Sequence, residues 1–342
     1  MPATSILLFL GITVGTAIAM SSHHWFMAWV GLELNALAML PVISKTKHPR
    51  AIEASTKYFL TQAIASSLML ASSITNAWMT GNWAITETTN KYTMAGVTIA
   101  LAMKSGTAPL HFWLPEVMQG STLHVALLMV TWQKLAPMAL LYLISNYIPP
   151  ALALTLGMLS ATFGGWGGMN QTQLRKMMAY SSISNMGWTL MVAPSDPNTS
   201  AIGIAAYIMI MIPTFLLMIE LSTKTLQNIS ESWTTSPVTT TTLLLLLLST
   251  AGLPPLTGFL PKLLILNELL TQGLTSIAGL ITMTSLLNLT FYLRAVYLTT
   301  LLNPPISTTS MMKWRHNLDM SMWTLPVPPS VMTMTTLPSA IP

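Results

Sequence analysis

The stretch ALAMKSGTAPLHFWLP, residues 100–115, sets Lys104 behind an apolar run and ahead of a cluster of helix breakers. Pro109 and Pro115 lack a backbone donor and clash with the preceding turn, so a helix entering this stretch has to stop. At membrane depth, non-helical backbone survives only when it is enclosed in protein or faces water. The meaning of the break therefore depends on whether the chain lies in a bilayer.

Composition answers that question. The chain has 342 residues, 52% of them hydrophobic and only 7% charged. A soluble domain carries roughly 25% charged residues, and so few charges could not cover a water-facing surface of this size. The expectation is an all-α polytopic membrane protein. There is no cysteine, which excludes disulfides, thiolate-held iron–sulfur clusters and a thiol nucleophile. The net charge of +5 falls mostly in short loops, the topology signal of membrane proteins, and no basic run suggests nucleic acid. MPATSILLFLGITVGTAIAM (1–20) has no basic leader and is expected to continue as an uncleaved span.

Runs of about 20 mostly apolar residues place eleven spans, near 3–21, 25–44, 56–79, 93–118, 123–145, 149–169, 176–194, 200–222, 238–268, 274–299 and 322–340. Loops leading from even to odd spans hold Lys45, Lys47, Arg50, Lys57, Arg175, Lys176, Lys224, Lys313 and Arg315, whereas those from odd to even spans hold only Lys91. The positive-inside rule puts the first group, and the N-terminus, on the cytoplasm-equivalent side and the C-terminus opposite. TTSPVTTTT (234–242) reads as a loop and helix start, and residues 300–321 as the longest loop.

The fourth span is broken by SGTAPLHFWLP and the ninth by AGLPPLTGFLPK, five spans later. Gly/Pro-interrupted spans at matching places in two halves mark inverted-repeat transporters. Residues 1–148 and 149–299 are thus expected to form two inverted five-helix repeats with two discontinuous helices, with 300–342 adding a loop and a last helix.

Lys104, Lys134, Lys262 and Arg294 fall within predicted spans, as does Glu33. An ammonium in a low-dielectric interior is costly, and a lysine held there can load and release a proton. Intramembrane ionisable groups are functional candidates by default. Snorkelling to the interface is the bland alternative. It is hardest for Lys134, whose flanks are apolar for about two turns. Glu33 is expected to face Lys104, as a proton-handling or a purely structural pair. His111, in the first break, is a possible proton relay or a ring that satisfies broken-helix carbonyls. His124 is a weaker relay candidate, and His23 and His24 read as surface. FGGWGGM (163–169) lacks the Lys-Ser/Thr of a phosphate loop and reads as helix packing through Gly164 and Gly168.

HFWLPEVMQGS (111–121), QLRKMMAYSSISNMGW (173–188) and GLPPLTGFLPK (252–262) together resemble the signatures of the antiporter-like subunits of respiratory complex I. The resemblance covers essentially the whole chain, and the many methionines and threonines suit an animal mitochondrial gene. It implies a fold shared with cation/proton antiporters and a role in proton translocation. Members from animal mitochondria resemble bacterial ones with three spans missing, which suits eleven. The family's glutamate–lysine pair matches Glu33 and Lys104, its central lysine Lys134, and its lysine in the second broken helix Lys262. The resemblance implies no cofactor in this chain, since NAD, FMN, iron–sulfur clusters and ubiquinone belong to other subunits. It implies other membrane subunits, including neighbouring antiporter-like ones, as partners. It also implies the mitochondrial inner membrane, with the N-terminus in the matrix and the C-terminus in the intermembrane space. A structural membrane-arm subunit without its own channel and a stand-alone cation/proton antiporter remain alternatives.

Overall fold

The computed structural model describes residues 2–87, 90–235 and 237–301. Among them the regular structure is helical, with two isolated bridges and no strand. The chain divides into two compact units, one of residues up to 160 with 186–201, the other of 161–185 with those described from 202 onward.

Ten of the eleven predicted spans coincide with helices or broken helices. The first unit opens with α1 (Pro2–Ser21), α2 (Trp25–Ser44) and α3 (Pro49–Thr80). The fourth span is two pieces, α4 (Lys91–Ser105) and α5 (Trp113–Gly120). The fifth is also two, α6 (Leu123–Val130) and α7 (Trp132–Leu143). α8 (Pro150–Met169), α9 (Leu174–Val192) and α10 (Pro197–Glu220) follow. Then come α11 (Leu226–Thr235), the ninth span as α12 (Pro237–Ala251) and α13 (Phe259–Thr271), and α14 (Thr275–Leu301). The predicted span 322–340, and the loop expected over 300–321 beyond the end of α14, lie outside the described residues.

Three details differ from the expectation. α3 starts at Pro49 rather than at 56, because proline suits a first helical position and His48 Nδ1 accepts from Arg50 N at 3.2 Å. Arg50 and Lys57 are therefore helical, not loop. The approach to the ninth span contains α11, whose Leu226 and Ile229 are buried while Gln227 and Glu231 are exposed. The fifth span breaks at Thr131, whose φ of −107° and ψ of −72° interrupt the helix three residues before Lys134.

Among the described residues five helical stretches are long and apolar enough to cross a membrane: Thr4–Ser21, Trp25–Ser44, Leu123–Leu143, Pro197–Glu220 and Thr275–Thr300. The fourth and ninth spans fall short because several non-helical residues separate their half-helices, whereas Thr131 alone parts α6 from α7. α3 has the length but carries a polar stripe, Tyr58, Gln62, Ser66, Ser73 and Asn76, which it buries against its neighbours.

Packing in the first unit rests on close helix approach. α1 and α2 cross at Gly15 and Gly31, where a Cβ on Gly31 would lie 2.7 Å from Ala19 N and 2.9 Å from Gly15 O. With lipid as apolar as leucine, such small-residue contacts supply much of the attraction between spans. In the second unit Gly164 meets Ser184 and Gly168 meets the Phe291 ring, so FGGWGGM is a packing motif. Loops are tied in pairs. Trp25 N donates to Trp83 O at 3.0 Å and Ile85 N to His23 O at 3.1 Å. Leu174 N donates to Lys224 O and Leu226 N to Thr172 O. Each tie joins loops that the alternation of spans puts on one membrane face.

Candidate functional site

Lys104 occupies the last turn of α4. Gly106 ends that helix with φ +80°, a conformation other residues rarely adopt. The carbonyls left at the end are answered locally: Thr107 N and Oγ1 both donate to Ala102 O at 3.0 Å. Trp113 Nε1 donates to Met103 O at 3.3 Å. The break is thus closed by protein groups, as bilayer depth requires. Lys104 lies where the helix's partial negative charge collects, a favourable place for a cation.

Lys104 is 5% exposed, and its Nζ has no hydrogen-bond partner. Glu33, on α2, acts on Lys104 through space, but its Oε2 is buried without a hydrogen-bond partner. The two face one region without closing an ion pair. A small cavity beside Lys104 is lined by Tyr58 and Gln62 of α3, Asn35 of α2, and Gln133 and Pro137 of α7. Asn35 and Gln133 join through both amides, Nδ2 to Oε1 at 3.0 Å and Nε2 to Oδ1 at 2.9 Å.

Lys134, in the first turn of α7, is 1% exposed and follows Gln133 directly. Burying an ammonium costs several kcal/mol even after relaxation, so such a lysine is not incidental. His111 is buried in the first break against Phe112, with ring centroids 4.3 Å apart. Its ring lies beside the Pro109 backbone. His124 is exposed, and so are His23 and His24. His24 Nδ1 accepts from Phe26 N at the start of α2.

In the second unit Gly252 ends α12 with φ +86°. Lys262, in the first turn of α13, reaches back across the break and donates from Nζ to Ala251 O at 2.6 Å. The lysine stitches the two half-helices together and brings positive charge to the end of α12. Gly258 passes so close to Ser249 O that a Cβ would overlap it. Arg294 differs from the three lysines: it is exposed and donates to Met169 O at the end of α8, at 2.9 Å.

Sequence reading did not single out several polar groups. Asn35, Gln62 and Gln133 around Lys104 are neutral, and the signal for them was the buried polar stripe of α3 and a glutamine beside a buried lysine. A hydroxyl cluster in the second unit was also missed. There the Tyr292 hydroxyl faces Ser181 and Thr250, and Tyr207 faces Ser182, all buried. A third feature is Lys57, whose Nζ meets Glu53 and Glu116 at 2.6 Å each, tying α3 to α5. The bond from Lys57 holds the Glu53 carboxyl below its usual range. These groups are solvent-exposed, and exposed pairs contribute little. Lys57→Ala is therefore expected to leave the amount of the chain in isolated membranes within about twofold of wild type.

Broken helices with buried lysines define the class: a polytopic membrane protein of the kind that keeps ionisable groups at bilayer depth. Residues 22–288 match the family described as NADH:quinone oxidoreductase/Mrp antiporter, TM, and the chain belongs to that family. It is 48% identical to NADH-ubiquinone oxidoreductase chain 2 of Xenopus laevis, over 88% of this chain and 87% of that one. It is 45% identical to the protein of the same name from Gallus gallus, over 97% and 99%. The fold is shared with a chain of respiratory complex I from Thermus thermophilus with bound aureothin. That match has a TM-score of 0.82 and 24% identity, covering 97% of this chain and 79% of that one. A chain of the Mrp complex from Dietzia sp. DQ12-45-1b matches with a TM-score of 0.79 and 21% identity, over 87% and 60%.

Proposed function

We propose that this chain is a core, antiporter-like membrane subunit of respiratory complex I, the proton-translocating NADH:ubiquinone oxidoreductase of the mitochondrial inner membrane. The observation that carries this reading is the burial of Lys104, Lys134 and Lys262, each beside a break in its span. The names of the full-length relatives support the assembly. Lys104, Lys134 and Lys262 are the groups that hold the transported proton. Glu33, on α2 with its Oε2 buried and facing the same region, is the group whose charge or distance sets when Lys104 releases that proton. His111 orders the first break and stands beside the path as a relay candidate. Residues 1–148 and 149–299 are two inverted repeats. The lysine- and arginine-rich loops and the N-terminus face the matrix, and the C-terminus faces the intermembrane space. The partners are the other membrane subunits of the complex, including neighbouring antiporter-like ones. NAD, FMN, iron–sulfur clusters and ubiquinone are held by other subunits.

The test uses the assembled complex of a homologue that can be engineered, with Lys104→Met at the matching position. NADH–quinone turnover and proton uptake into sealed vesicles are recorded together. Normal assembly with fewer protons per electron is expected. Normal assembly with both quantities unchanged would leave the chain a structural subunit.

A further inference from the structure

The cavity beside Lys104 leaves ≈ 10 Å³ open to the centre of a water molecule, about the space one water needs. Its walls supply what a buried water requires, two to four polar partners. Lys104 Nζ is a buried donor without a protein partner. Gln62 and the Tyr58 hydroxyl add groups that both donate and accept. Pro137 has no N–H to give the carbonyl four residues back, which is that of Gln133, so α7 presents an acceptor where it lines the cavity. The reciprocal Asn35–Gln133 amide pair ties α2 to α7 at this point. Each amide keeps one spare N–H and one spare lone pair after that exchange.

We propose that this cavity is a single-water site through which Lys104 exchanges its proton, and that the Asn35–Gln133 amide pair is the clasp that holds it open. The inference rests on the proton-handling reading of Lys104 and adds its immediate ligand and two positioning residues. As Lys104 gives up its proton, an N–H bond breaks and an O–H bond forms on the enclosed water. That water passes one of its own protons to the next water reaching the cavity. The lysine ends neutral, the enclosed water is restored and the outer water leaves as hydronium. Because the clasp spans α2 and α7, relative movement of these helices changes the cavity. Gln133 immediately precedes Lys134, so such movement is transmitted to that residue's helix.

Four variants of the assembled complex, made at the matching positions of an engineered homologue, test this. Truncating one amide would strand the other, but replacing both partners by apolar groups of similar shape is tolerated far better, so the clasp is removed as Asn35→Leu with Gln133→Met. Asn35→Gln with Gln133→Asn swaps the two amides and keeps the combined length. Ala36→Val fills the cavity, which Ala36 lines, and leaves the clasp in place. Lys104→Met is the reference. The apolar pair and Ala36→Val are expected to assemble, to pump fewer protons per electron and to lose roughly tenfold in turnover, less than the direct contribution of a proton-transfer group. The swap is expected to keep more than about half of wild-type turnover, since the paired amides are retained. An assembled Ala36→Val complex with normal proton stoichiometry overturns the water site. A swap as damaged as the apolar pair overturns the clasp. If Lys104→Met itself is silent, the functional reading fails. If Lys104→Met is impaired and the cavity variants are normal, only this inference fails.

Discussion

Gly31→Val is expected to abolish accumulation of the assembled complex. The new Cβ alone would stand 2.7 Å from the backbone N of Ala19, inside the contact distance of backbone atoms that cannot turn aside. α1 and α2 would have to separate, and the cost exceeds the 1–3 kcal/mol typical of overpacking a core because backbone, not a flexible side chain, is struck. The damage would not stay local. Gly15 packs against Asn35 N, with a notional Cβ 2.8 Å away, so the same crossing positions the residue that meets Gln133. Native gel electrophoresis of membranes is expected to show little or no intact complex, with Gly31→Ala intermediate. Gly279 provides the control, since a Cβ there meets nothing within 4 Å and Gly279→Ala should assemble normally. Equal amounts of complex from Gly31→Val and wild type would show that the α1–α2 crossing is not needed for assembly.

Lys262→Met has the second large effect. Methionine preserves the length of the side chain and removes both the charge and the donor to Ala251 O. The stranded carbonyl costs about 1–3 kcal/mol, which an assembled complex can absorb. The protonatable site is gone altogether. Turnover is expected to fall by at least about a hundredfold, as loss of a proton-transfer group requires, and proton uptake by at least as much. Lys262→Arg separates charge from proton exchange. Arginine stays charged, so it cannot load and unload, and its larger head must fit where Nζ already lies 2.8 Å from a notional Gly252 Cβ. A Lys262→Arg complex that pumped normally would make Lys262 a fixed charge rather than a proton carrier. Normal pumping by Lys262→Met would remove it from the path.

The spans and both Gly/Pro breaks were legible because they depend on local composition. Apolar length, missing N–H groups and positive-φ glycines act within a few residues. The lysines were legible for the same reason, since a charge inside an apolar run needs no partner to be conspicuous. What was not legible depends on contacts between distant residues. Asn35 meets Gln133 across 98 positions, and Lys57 meets Glu116 on the far side of a broken helix. α11 was hidden because its polar composition resembles a loop, while its two buried apolar residues lie one turn apart. The break at Thr131 has no glycine or proline at its centre. The Glu33–Lys104 relation was anticipated as a close pair, but the structure places the carboxylate within electrostatic range and outside contact, a difference of side-chain placement that residue types do not encode.

The buried stripe of α3 bears on how the chain is made. Its outer face, with Phe59, Leu60 and Ile64 exposed, suits lipid, but Gln62 and Asn76 do not; the Ser66 and Ser73 hydroxyls donate to carbonyls of α3 itself. Asn76 Oδ1 accepts from Thr93 Oγ1 of α4 at 3.3 Å, so part of what shelters this face is synthesised after it. Polar groups stranded in hydrocarbon carry a heavy penalty, so α3 is expected to be least stable in the bilayer before α4 packs against it. The polar face of α3 is expected to be fully covered only once α4 is in place. A substitution in α4 that removes the Thr93 hydroxyl is therefore expected to be felt first in α3, so that a lesion in one span is read out in its neighbour.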